Sequence, residues 1–320
     1  VFDIIDHNVL NPEYLMMWFK RTEFDRYARF YSHGSAREIF DWEQMCEVQL
    51  PVPHIDKQRE IIKEYNVLVD RINLNNQLIQ KLEETAQAIY KQWFVHFEFP
   101  DENGKPYKSN GGEMEFNEEL EKDIPRGWVV KTVGDVVQCN VSTLTPKDKF
   151  ETIEYLDTSN ITNNEIEDIQ ILNLKQDEIP SRAKRKVNHN DIIFSTVRPN
   201  LKHFGILKNP KPNMIVSTAF AVLKPSHPNI CGELVYILIT NEENLKSLQA
   251  RAEMSVSTYP SINPEDLLNI KFILPTEENL LKATKIFKSQ FELSDSMKKE
   301  NKLLRGMSSL FLSKLATINN

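Results

Sequence analysis

Glycine is scarce, with nine residues in 320. None forms a Gly-x-Gly pair or a Gly-x-x-x-x-Gly-Lys loop, which excludes nucleotide chemistry carried by the dinucleotide fingerprint or the phosphate-cradling loop. Cysteine is scarcer. Cys46, Cys139 and Cys231 stand more than ninety residues apart, matching neither a disulfide framework nor a paired zinc ligand set, and this usage fits a reducing cytoplasm. The seven histidines show no His-Glu-x-x-His or comparable ligand spacing, so no metal site is expected. A Gly-x-Ser-x-Gly elbow is missing too, and no catalytic constellation stands in a convincing context. No run of eighteen apolar residues occurs and no signal peptide opens the chain, so a cytoplasmic protein is expected, with no membrane partner. Positive charge is in deficit: 39 Lys+Arg against 46 Asp+Glu give a net charge of -7, which argues against a uniformly basic coat. What is present is length and apolar content, 320 residues with 40% hydrophobics, enough for two domains.

The most regular segment runs from Asp56 to Phe94 without Pro or Gly. Ile61, Tyr65, Leu68, Ile72, Ile79, Leu82, Ala86, Ile89 and Trp93 recur at spacings of four and three, with Asn75 in the one polar slot. A 3.5-residue repeat held this long predicts a coiled-coil seam. At 1.5 Å per residue the helix spans about 58 Å, the length of a spacer. Such a helix also serves plain oligomerisation or packing, in which case Asn75 only fixes register. A second helix is expected from Glu277 to Leu315, less regular because Gln290, Ser294, Asn301 and Ser308 occupy seam positions and Gly306 lies inside it.

An offset of 222 residues lays the second helix on the first, and the match begins upstream of both. Tyr14 falls on Tyr236, Ala28-Arg29 on Ala250-Arg251, Ser35 on Ser257, Glu43 on Glu265, Pro53 on Pro275 and Leu82 on Leu304. Hydrophobic class and punctuation persist across some eighty residues, so the chain contains a duplicated module. Residues 99–123, with two Gly turns and eight acids against three bases, read as a linker. From Ile124 short β-branched runs appear, at Trp128 to Val133, Asp191 to Val197 and Ala219 to Leu223, followed by one helix from Gly232 to Arg251. These features define a compact α+β domain over 124–275. By the offset, the matching first domain begins ahead of Val1, so residues 1–53 read as its C-terminal remnant and the chain as truncated at its N-terminus.

Charge is concentrated between Arg182 and Lys211. Arg182, Lys184, Arg185, Lys186, Arg198, Lys202, Lys208 and Lys211 face one acid, Asp191, giving +7 in thirty residues. Interleaved with His189, Asn200, His203 and Phe204, the segment suits loops that neutralise phosphates while a few side chains reach base edges. A solvated basic face is the plainer account. Pro199 pushes Arg198 toward an extended conformation, presenting its guanidinium from a strand end. That fork pairs with guanine O6 and N7, with phosphate, or with an internal carboxylate. Asn11-Pro12-Glu13-Tyr14 resembles the Asn-Pro-Pro-Tyr loop of amino methyltransferases, but Glu replaces the second Pro. Asn11 as an N-cap with Pro12 opening a helix explains it, as it does Asn263-Pro264-Glu265.

The order of recognition-type domain, heptad helix, second such domain and second heptad helix resembles the specificity subunit of type I restriction-modification systems. The motifs that carry the resemblance are Gly34-Ser35-Ala36-Arg37, Leu50-Pro51-Val52-Pro53 with Gln58, and Tyr90-Lys91-Gln92-Trp93-Phe94. Further on come Pro106-Tyr107-Lys108-Ser109-Asn110-Gly111-Gly112-Glu113-Met114, Ile124-Pro125-Arg126-Gly127-Trp128, the run Asp191 to Pro199, Ser217-Thr218-Ala219-Phe220 and Ser257-Thr258-Tyr259-Pro260-Ser261-Ile262. Departures are Pro275-Thr276-Glu277-Glu278 in place of a Pro-Pro-x-x-x-Gln start to the second helix, and the mostly missing first domain.

The resemblance implies an α+β fold, pseudo-twofold duplicated, in which mixed α/β target-recognition domains are joined by two long antiparallel coiled-coil helices. Its segments are 1–53 (end of the first recognition domain), 54–98 (first spacer helix), 99–123 (linker), 124–275 (second recognition domain) and 276–320 (second spacer helix). Each recognition domain is expected to read half of a split target in double-stranded DNA, with Arg37 and Tyr259 joining Arg182, Lys184, Arg185, Lys186, Arg198, Asn200, Lys202 and His203 at the DNA. The helices are expected to set the gap and to dock two methyltransferase subunits and motor-nuclease subunits. Those partners would carry S-adenosylmethionine, ATP and Mg, leaving this chain non-catalytic and without a cofactor. A truncated chain could instead pair with a second copy. A coiled-coil scaffold that binds only protein is the alternative.

Overall fold

The computed structural model describes residues 3–34, 37–255 and 259–317. Ser35 and Ala36, the Ser35/Ser257 match and Ser257-Thr258 of the later motif lie outside the described residues. The chain divides into two compact units, Val1–Lys81 with Leu293–Asn320, and Leu82–Glu292. Among the described residues, no helix is long and apolar enough to cross a membrane.

Helices α1 (Pro12–Phe19), α2 (Thr22–Tyr31) and α3 (Trp42–Cys46) precede the long helix α4 (Ile55–Tyr90). The Asn-Pro-Glu-Tyr run is a helix start: Asn11 Oδ1 accepts the Glu13 N–H at 2.8 Å and Pro12 opens α1. Tyr14 is fully buried, its hydroxyl donating to the Pro51 carbonyl at 3.2 Å. Gln58 is fully buried as well and is satisfied three times, accepting the Asn11 N–H and donating to the carbonyls of Val9 and Pro53. These bonds tie α1 to the start of α4.

The last long helix, numbered α8 below (Glu277–Lys314), contributes its C-terminal part to the same unit. Tyr65 meets Phe311 with ring centroids 5.9 Å apart, and Asn75 donates to Asn301 at 2.9 Å, so the two helices run antiparallel. Ile61, Tyr65, Asn75 and Ala86 on α4 are buried, and Leu68, Ile72, Ile79, Leu82, Ile89 and Trp93 are half-buried. Asn75 and Asn301 form a polar layer between the helices. Asn75 Nδ2 also donates to Glu300, Asn301 Nδ2 to Asn76, and Arg71 grips Glu300 at 3.0 and 3.1 Å. Beyond Tyr90 the helix widens into a π turn, Lys91–Val95, closed by the His96 N–H on the Lys91 carbonyl.

In the second unit the strands are β1 (Met114–Asn117), β2 (Lys122–Pro125), β3 (Val129–Thr132), β4 (Val137–Cys139), β5 (Thr152–Leu156), β6 (Ile161–Thr162) and β7 (Glu165–Ile166). They continue as β8 (Gln170–Asn173), β9 (Ala183–Lys186), β10 (Ile192–Ser195), β11 (Phe204–Ile206), β12 (Met214–Ser217) and β13 (Phe220–Pro225). Helices α5 (Gly232–Thr240), α6 (Glu242–Glu253) and α7 (Pro264–Leu268), strand β14 (Lys271–Leu274) and α8 complete the chain. Two four-stranded sheets, ordered β11-β10-β13-β4 and β8-β5-β12-β9, form its centre. The segment read as a linker contains β1, the start of β2 paired with it, and the buried Phe99, stacked on Tyr107 and on Trp128.

Alternation along the strands assigns their faces. Ile193 on β10, Met214 and Val216 on β12 and Phe220 and Val222 on β13 pack together between the sheets. Ile192, Phe194, Ala221 and Leu223 point the other way, onto α5 and onto the parts of α4 and α8 that belong to this unit. Where one helix was expected over 232–251 there are two. Asn241 is extended at ψ 154° and its side chain caps α6 by accepting the Asn244 N–H, so the local cap overrides the continuous apolar pattern.

The duplication extends to the elements. The offset of 222 residues carries α3 onto α7 end for end, the last residue of α2 onto the last of α6, and the first of α4 onto the first of α8.

Candidate nucleic-acid interface

The basic segment is built from two sheets and three loops. Arg182 precedes β9, Arg198 follows β10, and the two-residue turn Thr218-Ala219 carries the chain from β12 in one sheet to β13 in the other. That turn fastens both neighbours. The Thr218 N–H donates to the Arg182 carbonyl at 2.8 Å, and the Ala219 carbonyl accepts from the Thr196 N–H at 2.9 Å and its hydroxyl at 3.0 Å. The loop after α6 joins through the Ile262 N–H on Thr196 and the Arg198 N–H on Pro260, both at 2.9 Å. The resemblance groups Arg182, Arg198 and Tyr259 on one surface, but the bonds that join their loops link backbone groups far apart in the chain and leave no sequence pattern.

Arg198 is not extended. Its φ is 50° and its ψ 68°, in the left-handed region, and this corrects the expectation from Pro199. Proline disfavours the right-handed helical region for its predecessor, but the tertiary bonds choose among what remains. The Arg198 N–H is held by Pro260 and its carbonyl by the Leu201 N–H, which closes a 3-10 turn over Pro199–Leu201. The guanidinium lies over the exposed Tyr259 ring, 4.9 Å from its centroid. Asn200 is exposed, with its N–H on Gln249 Oε1 at 3.1 Å. His203 is half-buried with Nδ1 2.7 Å from the Ile161 carbonyl oxygen, so that nitrogen carries the proton.

The charge of the segment is smaller in space than in sequence. Lys186 pairs with Asp148, Lys208 with Glu233 and Lys211 with Glu154, three acids that stand well outside the Arg182 to Lys211 run or beyond its end. The Lys186 ammonium, helped by the N–H and hydroxyl of Thr145, holds the Asp148 carboxyl down at about 2. Burial opposes the charge of Glu233, yet the Lys208 ammonium keeps its carboxyl below the usual range. Asp191, the one acid inside the run, is buried, and burial raises its carboxyl although it accepts the Asn188 N–H at 2.7 Å. Arg185 is half-buried with Nε lacking a hydrogen-bond partner, and burial lowers its affinity for the proton.

Besides Lys211, which is exposed but paired, four cations of the segment are exposed: Arg182, Lys184, Arg198 and Lys202. Among the described residues none of the four belongs to an ion pair, though Lys202 lies near enough to Glu242 to help lower its carboxyl. Arg37 is exposed in the other compact unit, beside Gly34, whose φ of +112° and approach to the Arg37 carbonyl leave no room for a Cβ. Among the described residues, no group of three His, Cys, Asp or Glu side chains is placed to hold a metal ion.

The family model described as type I restriction modification DNA specificity domain matches residues 125–305. The chain is similar to the type I restriction enzyme MjaIX specificity subunit of Methanocaldococcus jannaschii, at 26% identity over 98% of this chain and 70% of the relative. It is also similar to the type I restriction enzyme HindI specificity subunit of Haemophilus influenzae, at 24% identity over 50% of this chain and 34% of the relative. Among solved structures, the type I restriction-modification system S subunit from M. genitalium shares the fold, with a TM-score of 0.50 at 15% identity over 99% of this chain and 76% of that one.

Proposed function

Because the chain belongs to the type I restriction modification DNA specificity family, we propose that it is the DNA-recognition subunit of a type I restriction-modification complex and reads a split target in double-stranded DNA. The observation that carries this reading is the convergence of Arg182, Thr196–Arg198 and Tyr259–Pro260 on the Thr218-Ala219 turn. Rigid backbone bonds there present exposed cations and an aromatic ring together, in a protein whose net charge is -7. Arg182, Lys184 and Lys202 meet phosphates, and Arg198 reaches base edges from its fixed place over Tyr259. The acidic remainder repels DNA elsewhere and so orients it.

The partners in this reading are methyltransferase and motor-nuclease subunits, which carry S-adenosylmethionine, ATP and Mg, while this chain does no chemistry. Docking has material support on the long helices. Val67, Leu74 and Leu78 on α4 and Leu303, Met307 and Leu310 on α8 are exposed apolar residues on helices that otherwise bury a seam. The α4–α8 pair serves as the ruler between half-sites.

The test is a genome-wide map of methylated adenine in cells that express the chain with an active methyltransferase partner. A split motif should appear with the chain and vanish without it. Methylation unchanged by the chain, with a partner shown to work beside another specificity subunit, would leave a protein-binding scaffold as the better account.

A further inference from the structure

The unit formed by Val1–Lys81 and Leu293–Asn320 contains a cavity of about 360 Å³ that the DNA-recognition reading does not use. It opens where α1 hands over to α2, against α4 and α8. Lys20, Arg21 and Arg305 line it, and among the described residues no acidic side chain does. Tyr65, Val69 and Leu312 supply an apolar wall. Glu23 pairs with Arg21, its Oε2 3.7 Å from Arg21 Nε, and Arg305 makes an interaction of its own.

Two polar atoms of lining residues are buried without a hydrogen-bond partner, Arg21 Nε and Ser308 Oγ. Both side chains are more than nine-tenths buried, Arg21 at 6% and Ser308 at 9% exposure. Arg21 lies against the face of Trp18, 4.0 Å from its ring centroid, and its Nε has no hydrogen-bond partner. Helix α2 begins at this point without a side-chain cap, so its N-terminal dipole adds to the same field. Buried orphan donors are rare in folded proteins, and two in one cavity call for an acceptor.

The repeated module supplies an internal control. At the offset of 222, Lys20, Arg21 and Arg305 correspond to Glu242, Glu243 and Glu83, so the charge is inverted. Val69 and Leu312 correspond to Phe291 and Tyr90, and Ser308 to Ala86. In the second copy those larger rings are buried, Phe291 packs on Tyr236 with centroids 5.5 Å apart, and Glu83 accepts the Tyr236 hydroxyl at 2.8 Å. The copy with small apolar side chains is thus the copy with three cations. The open space in the first copy lies where the second copy places these buried rings.

We propose that this cavity binds a small organic oxyanion, a phosphate or carboxylate group carried on a compact apolar body. The charged group takes the Arg21 and Lys20 side chains, the start of α2 and the Ser308 hydroxyl, and the apolar body lies on Tyr65, Val69 and Leu312.

The test is calorimetric titration of the full chain with phenyl phosphate, benzoate, inorganic phosphate and benzyl alcohol. Phenyl phosphate or benzoate should bind one to one and about tenfold or more tighter than inorganic phosphate, and the tighter of the two identifies the anion. Benzyl alcohol should give no saturable heat. Lys20→Ala and Ser308→Val should each weaken the anion about tenfold, while Glu242→Ala leaves it unchanged. Lys20 is exposed and the Ser308 hydroxyl has no partner, so both variants keep the fold, which thermal melts verify. No binding of either aromatic anion, binding unaltered in both variants, or equal affinity for inorganic phosphate and for the alcohol would each overturn the proposal.

Discussion

Asp148 and Lys186 show how a distant residue resets the meaning of a nearby one. Lys186 stood in the sequence as one of eight cations, and its partner lies 38 positions earlier with no local pattern to announce it. The Asp148 carboxyl, held at about 2 against an ordinary 3.8, stabilises the folded chain above the ordinary value and loses that contribution as the pH falls through about 2. In Lys186→Met the carboxyl should return toward the ordinary range, and acid unfolding should begin at higher pH. NMR titration of the Asp148 carboxyl checks both.

On the proposed reading, Arg198 and Tyr259 serve recognition. Tyr259→Phe keeps the ring under the guanidinium and should bind target DNA as the parent does. Tyr259→Leu frees Arg198 and should narrow the gap between target and non-target DNA by about 1 kcal/mol. Lys184→Ala should instead weaken binding to every sequence and reduce the slope of log affinity against log salt by about 0.9. Equal losses on all sequences for both Tyr259→Leu and Lys184→Ala would remove Arg198 as a base reader.

At the scale of elements, spacing was informative and capping decided the boundaries. The heptad pattern from Asp56 to Phe94 became α4 with its π turn, and β3, β10 and β13 lie within or beside the runs read as strands. The break at Asn241 was hidden because α5 is buried all round, so its apolar residues run into those of α6 without a polar face to mark the end. Asn75 was visible as the polar slot of its seam, yet its facing residue depended on a pairing that periodicity cannot supply.

That pairing has a measurable cost and benefit. Asn75→Ala removes the donor to both Asn301 and Glu300 and should cost about 1–3 kcal/mol. Replacing Asn75 and Asn301 together by Leu should raise the stability of the pair and let the helices slip by a heptad. Chemical denaturation measures the first effect, and cysteine cross-linking at chosen registers the second.

For the whole molecule, the offset of 222 was the strongest signal in the sequence. It survives in the ends of α2, α3, α6 and α7 because insertions between packed helices would displace every later contact. The motifs that meet at Thr218-Ala219 were visible one by one, but the bonds between them were not legible, since backbone amides and carbonyls leave no trace in side-chain identity. That turn has a consequence for timing. Its bonds run to Arg182, before one sheet, and to Thr196, after a strand of the other, so the loops cannot open while the sheets stay closed. The Thr196 and Thr218 amides should therefore exchange with solvent as slowly as those of β10. On the proposed reading, DNA meets the Thr196 and Thr218 backbone already ordered, and association should proceed in a single phase with no slow step of folding at that turn behind it.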